Sequence, residues 1–353
     1  MNLGNPILIL GASGRAAAFS ALRAGQIPTV IDLFGDEDLR AVAECRVIPA
    51  ERYPDGLVEM ARAVAPMPWM YTGGLENRPD LIARIAAERP LIGNGPKVLT
   101  KVRDPFTLAS AWREAGIPHP RVARSIPKDD PARWLCKPVR SCGGAGIHFA
   151  GRTAEAGEHR YFQEFIEGDS RSAIFRDRKL LGVTRQLVGE PWLHAPRFGY
   201  CGSIGPLTVS PTEWAAWQRL GEVLADWAGI HGVYGIDAIV RDGAPWPVEV
   251  NPRYTAAVEV IELASQCGKS LAKGAYFAPR DLTIPDNGPW EAWRTGSSPP
   301  AFADVPRAGS WIRRGRPVLT IFGQGEADLR ATAEMFDRRL ADDAQRAGAG
   351  RRQ

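Results

Sequence analysis

Along the first part of the chain, short unbroken apolar runs alternate with stretches of helical period. Ile7–Leu10 reads as a buried strand, Gly11-Ala12-Ser13-Gly14 as a turn, and Arg15–Ala24 as an alanine-rich helix stopped by Gly25. Thr29–Asp32 and Trp69–Thr72 read as further strands, and Leu91-Ile92-Gly93 closes the unit. Strands alternating with helices predict a parallel sheet.

Beyond Gly95 the pattern changes. A linker leads to a helix that starts at Asp104-Pro105, with Asp as N-cap, and stops at Gly116-Ile117-Pro118. Trp134–Lys137 and Tyr161–Ile166 read as strands with a glycine-rich loop between them. Ala173–Phe175 and Leu180–Gln186 suggest a hairpin, and Phe198–Pro206 reads as a second glycine-rich loop. In Glu213–Ala228 the residues Trp214, Trp217, Leu220, Leu224 and Trp227 follow helical spacing, which predicts a helix with a tryptophan-rich core face. Tyr234–Val240 and Trp246–Val250 are strands joined by Arg241-Asp242-Gly243, which carries the Asp-Gly hairpin signal. Ser297-Ser298-Pro299-Pro300 reads as a boundary. A strand over Arg316–Phe322 and a helix over Ala327–Leu340 follow, and the last dozen residues are expected to fray.

Composition narrows the class. At 353 residues, two or three domains are expected. A net charge of +4, dispersed along the chain, gives no argument for a nucleic-acid partner. The five cysteines, at 45, 136, 142, 201 and 267, form no Cys-x-x-Cys pair and read as reduced thiols of a cytosolic protein. Pro6–Leu10 is too short for a signal sequence, and no apolar run reaches the length of a membrane span. The expectation is a cytoplasmic protein acting on small soluble molecules, with no membrane partner.

Three segments carry chemistry. Glu249 and Asn251 stand two apart on a strand and so share a face, with Asp237 on the partner strand. Carboxylate and amide oxygens suit magnesium, although a hairpin with a solvated polar face has the same sequence. Arg253 follows, with a planar fork for an anion. In Leu135–Ile147 a strand delivers Lys137 to a loop containing Gly143, Gly144 and Gly146, where backbone amides can approach phosphate. The loop is not a Walker A motif, and an ordinary turn is the alternative. In Tyr161–Gly168 a strand ends in Glu-Gly and offers backbone groups to a purine edge, or is a plain edge strand with exposed acids. The histidines at 119, 148, 159, 194 and 231 show no ligand spacing.

The order of these elements resembles the ATP-grasp superfamily of carboxylate–amine or –thiol ligases, over about residues 1 to 325. The resemblance implies a mixed α/β fold. A pre-ATP-grasp parallel α/β domain would span 1–95, and a grasp domain whose two subdomains clasp ATP would span 96–282, with a lid at about 118–168. A small C-terminal unit would span 283–345, from Phe302 through Pro306–Gly309 to Gly315–Thr320, before a disordered tail at 346–353. It further implies ATP with magnesium (manganese as alternative). Lys137 and Lys101 would touch phosphates, with Arg103 sharing or taking the second role, because Lys101-Val102-Arg103-Asp104 departs from the usual Asp-Lys pattern. Gln163, Glu164, Phe165 and Ile166 would lie along the adenine hinge, and Glu167 would bind ribose. Asp237, Glu249 and Asn251 would hold the metal, and Arg253 would meet the transferring phosphoryl group or a substrate carboxylate. Arg185 and the Phe198–Pro206 loop lie where such enzymes line the acceptor site. Glu259 either orients an amine or starts a helix.

The activity implied is phosphorylation of a carboxylate and capture of the acyl phosphate by an amine, releasing ADP and phosphate. Among such ligases the compact chain resembles the tyramine–glutamate ligase type. Homodimers are common among such enzymes, and the sequence leaves the oligomeric state open. A catalytically silent grasp-fold subunit, a biotin-dependent carboxylase and an NAD(P)-dependent oxidoreductase are the competing readings. The last rests on Gly11-Ala12-Ser13-Gly14 with Asp32 after the next strand, which lacks the full dinucleotide-binding glycine spacing.

Overall fold

The first apolar run forms the strand Pro6–Leu10, whose last four residues are buried. In the computed structural model, which describes residues 4–126, 130, 132–151, 157–285 and 299–350 (side chains to 340), this strand is central in a four-stranded parallel sheet. Ile27–Asp32 and Trp69–Tyr71 flank it, and Glu44–Val47 forms the outer strand beyond Ile27–Asp32. That outer strand was not expected, because its four residues are exposed or half buried and carry no apolar run. Leu91 closes the unit through a parallel bridge to Trp69. Helix Arg15–Arg23 packs Ala17, Ala18 and Ala21 on Ile7, Ile9 and Val30. Gly14 allows that approach, since a Cβ there would lie 2.3 Å from Val30 Cγ1.

The stretch read as a linker is itself a helix, Pro96–Val102. It breaks at Arg103, and Asp104 caps the next helix, Pro105–Glu114, by accepting from the Phe106 and Thr107 amides. A small antiparallel sheet follows, in the order Val122–Ala123, Arg160–Glu164, Trp134–Pro138, His148–Phe149.

The largest element is an eight-stranded antiparallel sheet. Its order is Ala244–Asn251, Val233–Arg241, Asp169–Arg176, Lys179–Val188, Tyr200–Gly205, Leu271–Phe277, Pro317–Gly323 and Phe302–Ala303. Tyr200–Gly205, read from sequence as a loop, is an interior strand. Its glycines permit close backbone approach: a Cβ at Gly202, where φ is +159°, would stand 2.2 Å from the Lys273 carbonyl. Helix Pro211–Ala228 covers one face, packing Trp217, Leu220 and Leu224 on Phe175, Val183 and Tyr234. Trp214, expected in that core, is instead 40% exposed. Helix Ala256–Cys267 covers the other face and meets helix Arg15–Arg23 through Glu262, which accepts from Ser20 Oγ and Arg23 Nη2.

The C-terminal segment adds its strands Phe302–Ala303 and Pro317–Gly323 to this same sheet. The terminal helix, Glu326–Gly350, runs past the expected end at Leu340 and through most of the stretch expected to be disordered. Residues 297 and 298 of the expected boundary lie outside the described residues. No described helix is long and apolar enough to cross a membrane.

Candidate active site

The hairpin Val233–Arg241/Ala244–Asn251 forms the edge of the large sheet, a position that tolerates Pro245 and Pro247. Asp242 and Gly243 both have positive φ (51° and 76°), as a two-residue turn requires, and Arg241 pairs with Ala244. Continued without interruption, that register would set Asp237 opposite Val248 and turn Glu249 and Asn251 to the other face. A bulge between Asp237 and Ala238 shifts it by one residue, so Asp237 pairs with Glu249 and Gly235 with Asn251. The three oxygen-bearing side chains thereby share a face, and Asn251 Nδ2 donates to Asp237 Oδ2 at 2.9 Å. Burial and the adjacent Glu249 push the Asp237 carboxyl up to about 6. Burial opposes ionisation of Glu249 too, but Arg103 and Lys137 outweigh it and hold Glu249 below the usual carboxylate range.

Two arginines converge on these oxygens, each anchored by the N-terminal unit. Arg103 Nη1 donates to Glu249 Oε1 (2.6 Å), and its Nη2 donates to Asn77 Oδ1 (3.0 Å) and the Ser141 carbonyl (3.1 Å). Arg253 Nη2 donates to Glu76 Oε1 (2.8 Å) and Asn251 Oδ1 (3.2 Å). Asn77 Nδ2 also donates to the Ser141 carbonyl, fixing the base of the glycine loop. Glu76 and Asn77 went unnoticed in the sequence, because they follow an ordinary Gly73-Gly74 turn and no local pattern says what they face.

The small sheet closes over this hairpin. Lys137 is buried and donates to Gln163 Oε1 at 3.0 Å, while Gln163 Nε2 donates to the carbonyl of Val248, the extra residue of the bulge, at 3.3 Å. Lys137, Gln163, Gly144, Ile147, Arg103 and Glu249 line a cleft with a free volume of only about 50 Å³. Small-molecule sites usually measure roughly 300–1,000 Å³, so the cleft is narrower than a nucleotide needs.

A latch holds the small sheet down. Phe198, just before the strand Tyr200–Gly205, meets Phe149 of the small sheet edge-on at 5.5 Å, and Phe149 meets Phe165 at 5.1 Å. The Tyr200 amide donates to the Gly143 carbonyl, and Gly144 passes so close that a Cβ would lie 1.9 Å from the Phe198 carbonyl. An aromatic pair contributes about 0.5–1.5 kcal/mol, so Phe198→Ala should raise the open population up to roughly tenfold. Hydrogen exchange should then speed up in Trp134–Pro138 and Arg160–Glu164 but not in the large sheet. Equal exchange in variant and parent would remove the latch.

Other sequence candidates are not brought to the cleft. Lys101 is exposed on the outside of its helix, where Nζ donates to the Trp227 carbonyl. Arg103, the residue just after that helix, lines the cleft instead. Lys101→Ala should therefore leave the calorimetric affinity for magnesium–ATP within about twofold, whereas Arg103→Ala should weaken it by about tenfold or more, the effect of a charge-assisted hydrogen bond. Equal losses would reverse the assignment. Arg185 pairs with Arg171 across the sheet, one position out of phase with the Asp237–Ser172 pair, and so faces the opposite side, where it bonds Glu326. Gln163 lines the cleft, but Glu164 is bonded to Arg121, Ile166 is buried, and Glu167 is exposed beside Arg133. Phe165 packs with Phe149, and Gly143 and Gly146 lie outside the cleft lining. Asp32, the acid of the oxidoreductase reading, is fully buried, and both its oxygens accept backbone amides, from Gly14, Phe34 and Gly35.

Residues 102–257 match the ATP-grasp domain family. It is 21% identical over 351 residues to an uncharacterized protein of Methanocaldococcus jannaschii, spanning 90% of this chain and 88% of that one. Its fold is similar to that of the L-amino acid ligase of Bacillus licheniformis (TM-score 0.61, 13% identity, 96% of this chain and 98% of that one). It is similar also to the biotin carboxylase domain of the Hydrogenobacter thermophilus 2-oxoglutarate carboxylase, solved as a dimer with MgADP and bicarbonate (TM-score 0.65, 14% identity, 90% and 86%). At these identities the likeness to the solved structures is one of fold.

Proposed function

We propose that this chain is an ATP-dependent ligase that activates a carboxylate as an acyl phosphate and joins it to an amine, releasing ADP and phosphate. The observation that carries this reading is the bulged hairpin, which gathers Asp237, Glu249 and Asn251 on one face and sets Glu249 in the cleft with Lys137 and Gly144. Magnesium fits that donor set: two carboxylates and an amide, all hard oxygen ligands, with room left for water and phosphate. Asp237, Glu249 and Asn251 would hold the ion, which when bound neutralises phosphate charge and orients the transferring group.

The chain's own residues do the rest. Phosphoryl transfer depends on charge neutralisation and in-line positioning. Lys137 and Arg103 supply fixed positive charge on either side of the cleft. Arg253, tethered to Glu76, is poised between the metal oxygens and the N-terminal unit, where an acceptor carboxylate would be held. Closure of the small sheet excludes water, which protects an acyl phosphate from hydrolysis. The units 1–95, 96–282 and 283–345 then serve as acceptor platform, nucleotide clasp and brace. The retained metal oxygens argue against a silent subunit.

The test is ADP release measured against a panel of carboxylic acids and amines, with product masses read by mass spectrometry. Release that requires both an acid and an amine, with a condensed product, supports the proposal. ATP cleavage that depends on bicarbonate and no amine would redirect it to carboxylation.

A further inference from the structure

Behind the segment Pro252–Tyr254, on the far side from the cleft, lies a second cavity of about 360 Å³. The two cavities share no lining residue, although Asn251 joins the wall of one to the wall of the other. This one falls within the size range of small-molecule sites, roughly 300–1,000 Å³. It opens between the N-terminal sheet with helix Arg15–Arg23 on one side and helix Ala256–Cys267 on the other.

Its chemistry is two-sided. Ile7, Ala17, Ala21, Met70, Val233 and Tyr254 make an apolar interior. The hydroxyls that reach it are already used: Tyr71 Oη donates to the Asn94 carbonyl (2.7 Å) and the Pro252 carbonyl (3.3 Å), and Tyr254 Oη donates to the Ala16 carbonyl (3.2 Å). Ser20 Oγ and Ser265 Oγ are likewise engaged, donating to Glu262, and the remaining polar side chains of the lining are the amides of half-buried Gln26 and exposed Gln266, so the interior itself suits a hydrocarbon body. The charged lining groups are Arg23, Arg176, Arg253 and Glu262. Arg253 is turned toward Glu76 and Asn251, and Arg23 is paired with Glu262 at 2.5 Å but keeps a buried Nε without a hydrogen-bond partner. Arg176 is exposed and makes no ion pair with a described residue. Setting Arg253 aside, two cations and one carboxylate leave one positive charge in excess.

We propose that this cavity binds a small amphipathic monoacid, its apolar body between the two helices and its single anionic head against Arg176 and Arg23. The site does not depend on the ligase reading. The occupant would touch the wall that fixes the metal strand. The Pro252 carbonyl is held by Tyr71 and by Asn94 Nδ2 (3.1 Å), and Asn94 also clamps the His231 backbone, accepting from its amide at 3.0 Å and donating to its carbonyl at 2.9 Å.

The experiment titrates the full chain with anilinonaphthalene sulfonate, an aromatic body with one anionic head, with saturating magnesium–ATP present. The expected result is one saturable fluorescent site, displaced by decanoate and at least tenfold less well by decanol. Ala21→Trp, which fills the interior, should abolish the signal. Arg176→Glu, a surface change that leaves the fold intact, should weaken binding at least fivefold even if Ala21→Trp fails to fold. Displacement by magnesium–ATP, equal potency of decanol and decanoate, unsaturable fluorescence, or unchanged binding in Arg176→Glu would each overturn the proposal.

Discussion

Glu249→Gln should lower ATP turnover by roughly 10³-fold, the scale seen when a charge-stabilising group is removed from a preorganised site. The substitution keeps the volume of the side chain and its place on the hairpin, and removes only the charge. Two consequences follow at once. The proposed metal site loses one of its two carboxylates, and Arg103, which donates to Glu249 at 2.6 Å, loses its counter-ion. Because Glu249 is held ionised by Arg103 and Lys137, the parent carries that charge throughout the neutral range. The measurement is ADP release together with calorimetric titration of magnesium–ATP, which needs no knowledge of the acceptor. The melting temperature should move little, since the carboxylate is partly open to the cleft. Turnover within tenfold of the parent would mean that the metal is held elsewhere.

The same hairpin marks where sequence reading succeeds and where it stops. Alternation along one strand puts Glu249 and Asn251 on one face with certainty, and the Asp-Gly turn identifies the partner strand. Neither reveals the bulge, and without the bulge the turn sets Asp237 against Val248. The grouping of all three was therefore legible as a pattern of residues and not as a register. Arg185 shows the complementary failure. Its strand was recognised, but its face depends on pairing with Asp169–Arg176, a relation between strands that no local signal carries. Glycine reads as flexibility and makes Tyr200–Gly205 look like a loop, whereas here it answers to backbones packed too closely for a Cβ. The parallel N-terminal unit was easier, since buried strands there are continuous apolar runs. Arg103 sits where the helix breaks before Asp104 and so reaches the cleft, whereas Lys101, the first candidate by spacing, stays on the outside of the helix.

Glu259→Leu should destabilise the fold by roughly 3–5 kcal/mol, the cost of stripping one partner from a buried ionic network. Arg15, 1% exposed, donates to Glu259 through Nη1 (2.5 Å) and Nη2 (3.0 Å) and to Asp304 through Nε and Nη2 (3.1 Å each). Lys273 Nζ donates to Glu259 at 2.6 Å, and Asp38 accepts the amides of Asp304 and Val305 at 3.0 Å each. Five separate pieces of the chain meet there: the first helix, the short helix Glu37–Arg40, the helix after the strand Ala244–Asn251, an interior strand of the large sheet, and the segment just after its edge strand Phe302–Ala303. Removing Glu259 leaves two cations, Arg15 and Lys273, buried against Asp304 and a carboxyl at Asp38 that burial raises to about 6. The melting temperature should fall by roughly 10 °C, read by calorimetry with and without magnesium–ATP. The residual native protein should keep its nucleotide affinity, because none of these groups lines the cleft. The sequence left Glu259 between orienting an amine and starting a helix, and the two roles separate here. A brace loses melting temperature and keeps chemistry. A variant that melts like the parent yet no longer couples acid to amine would give Glu259 back to the substrate.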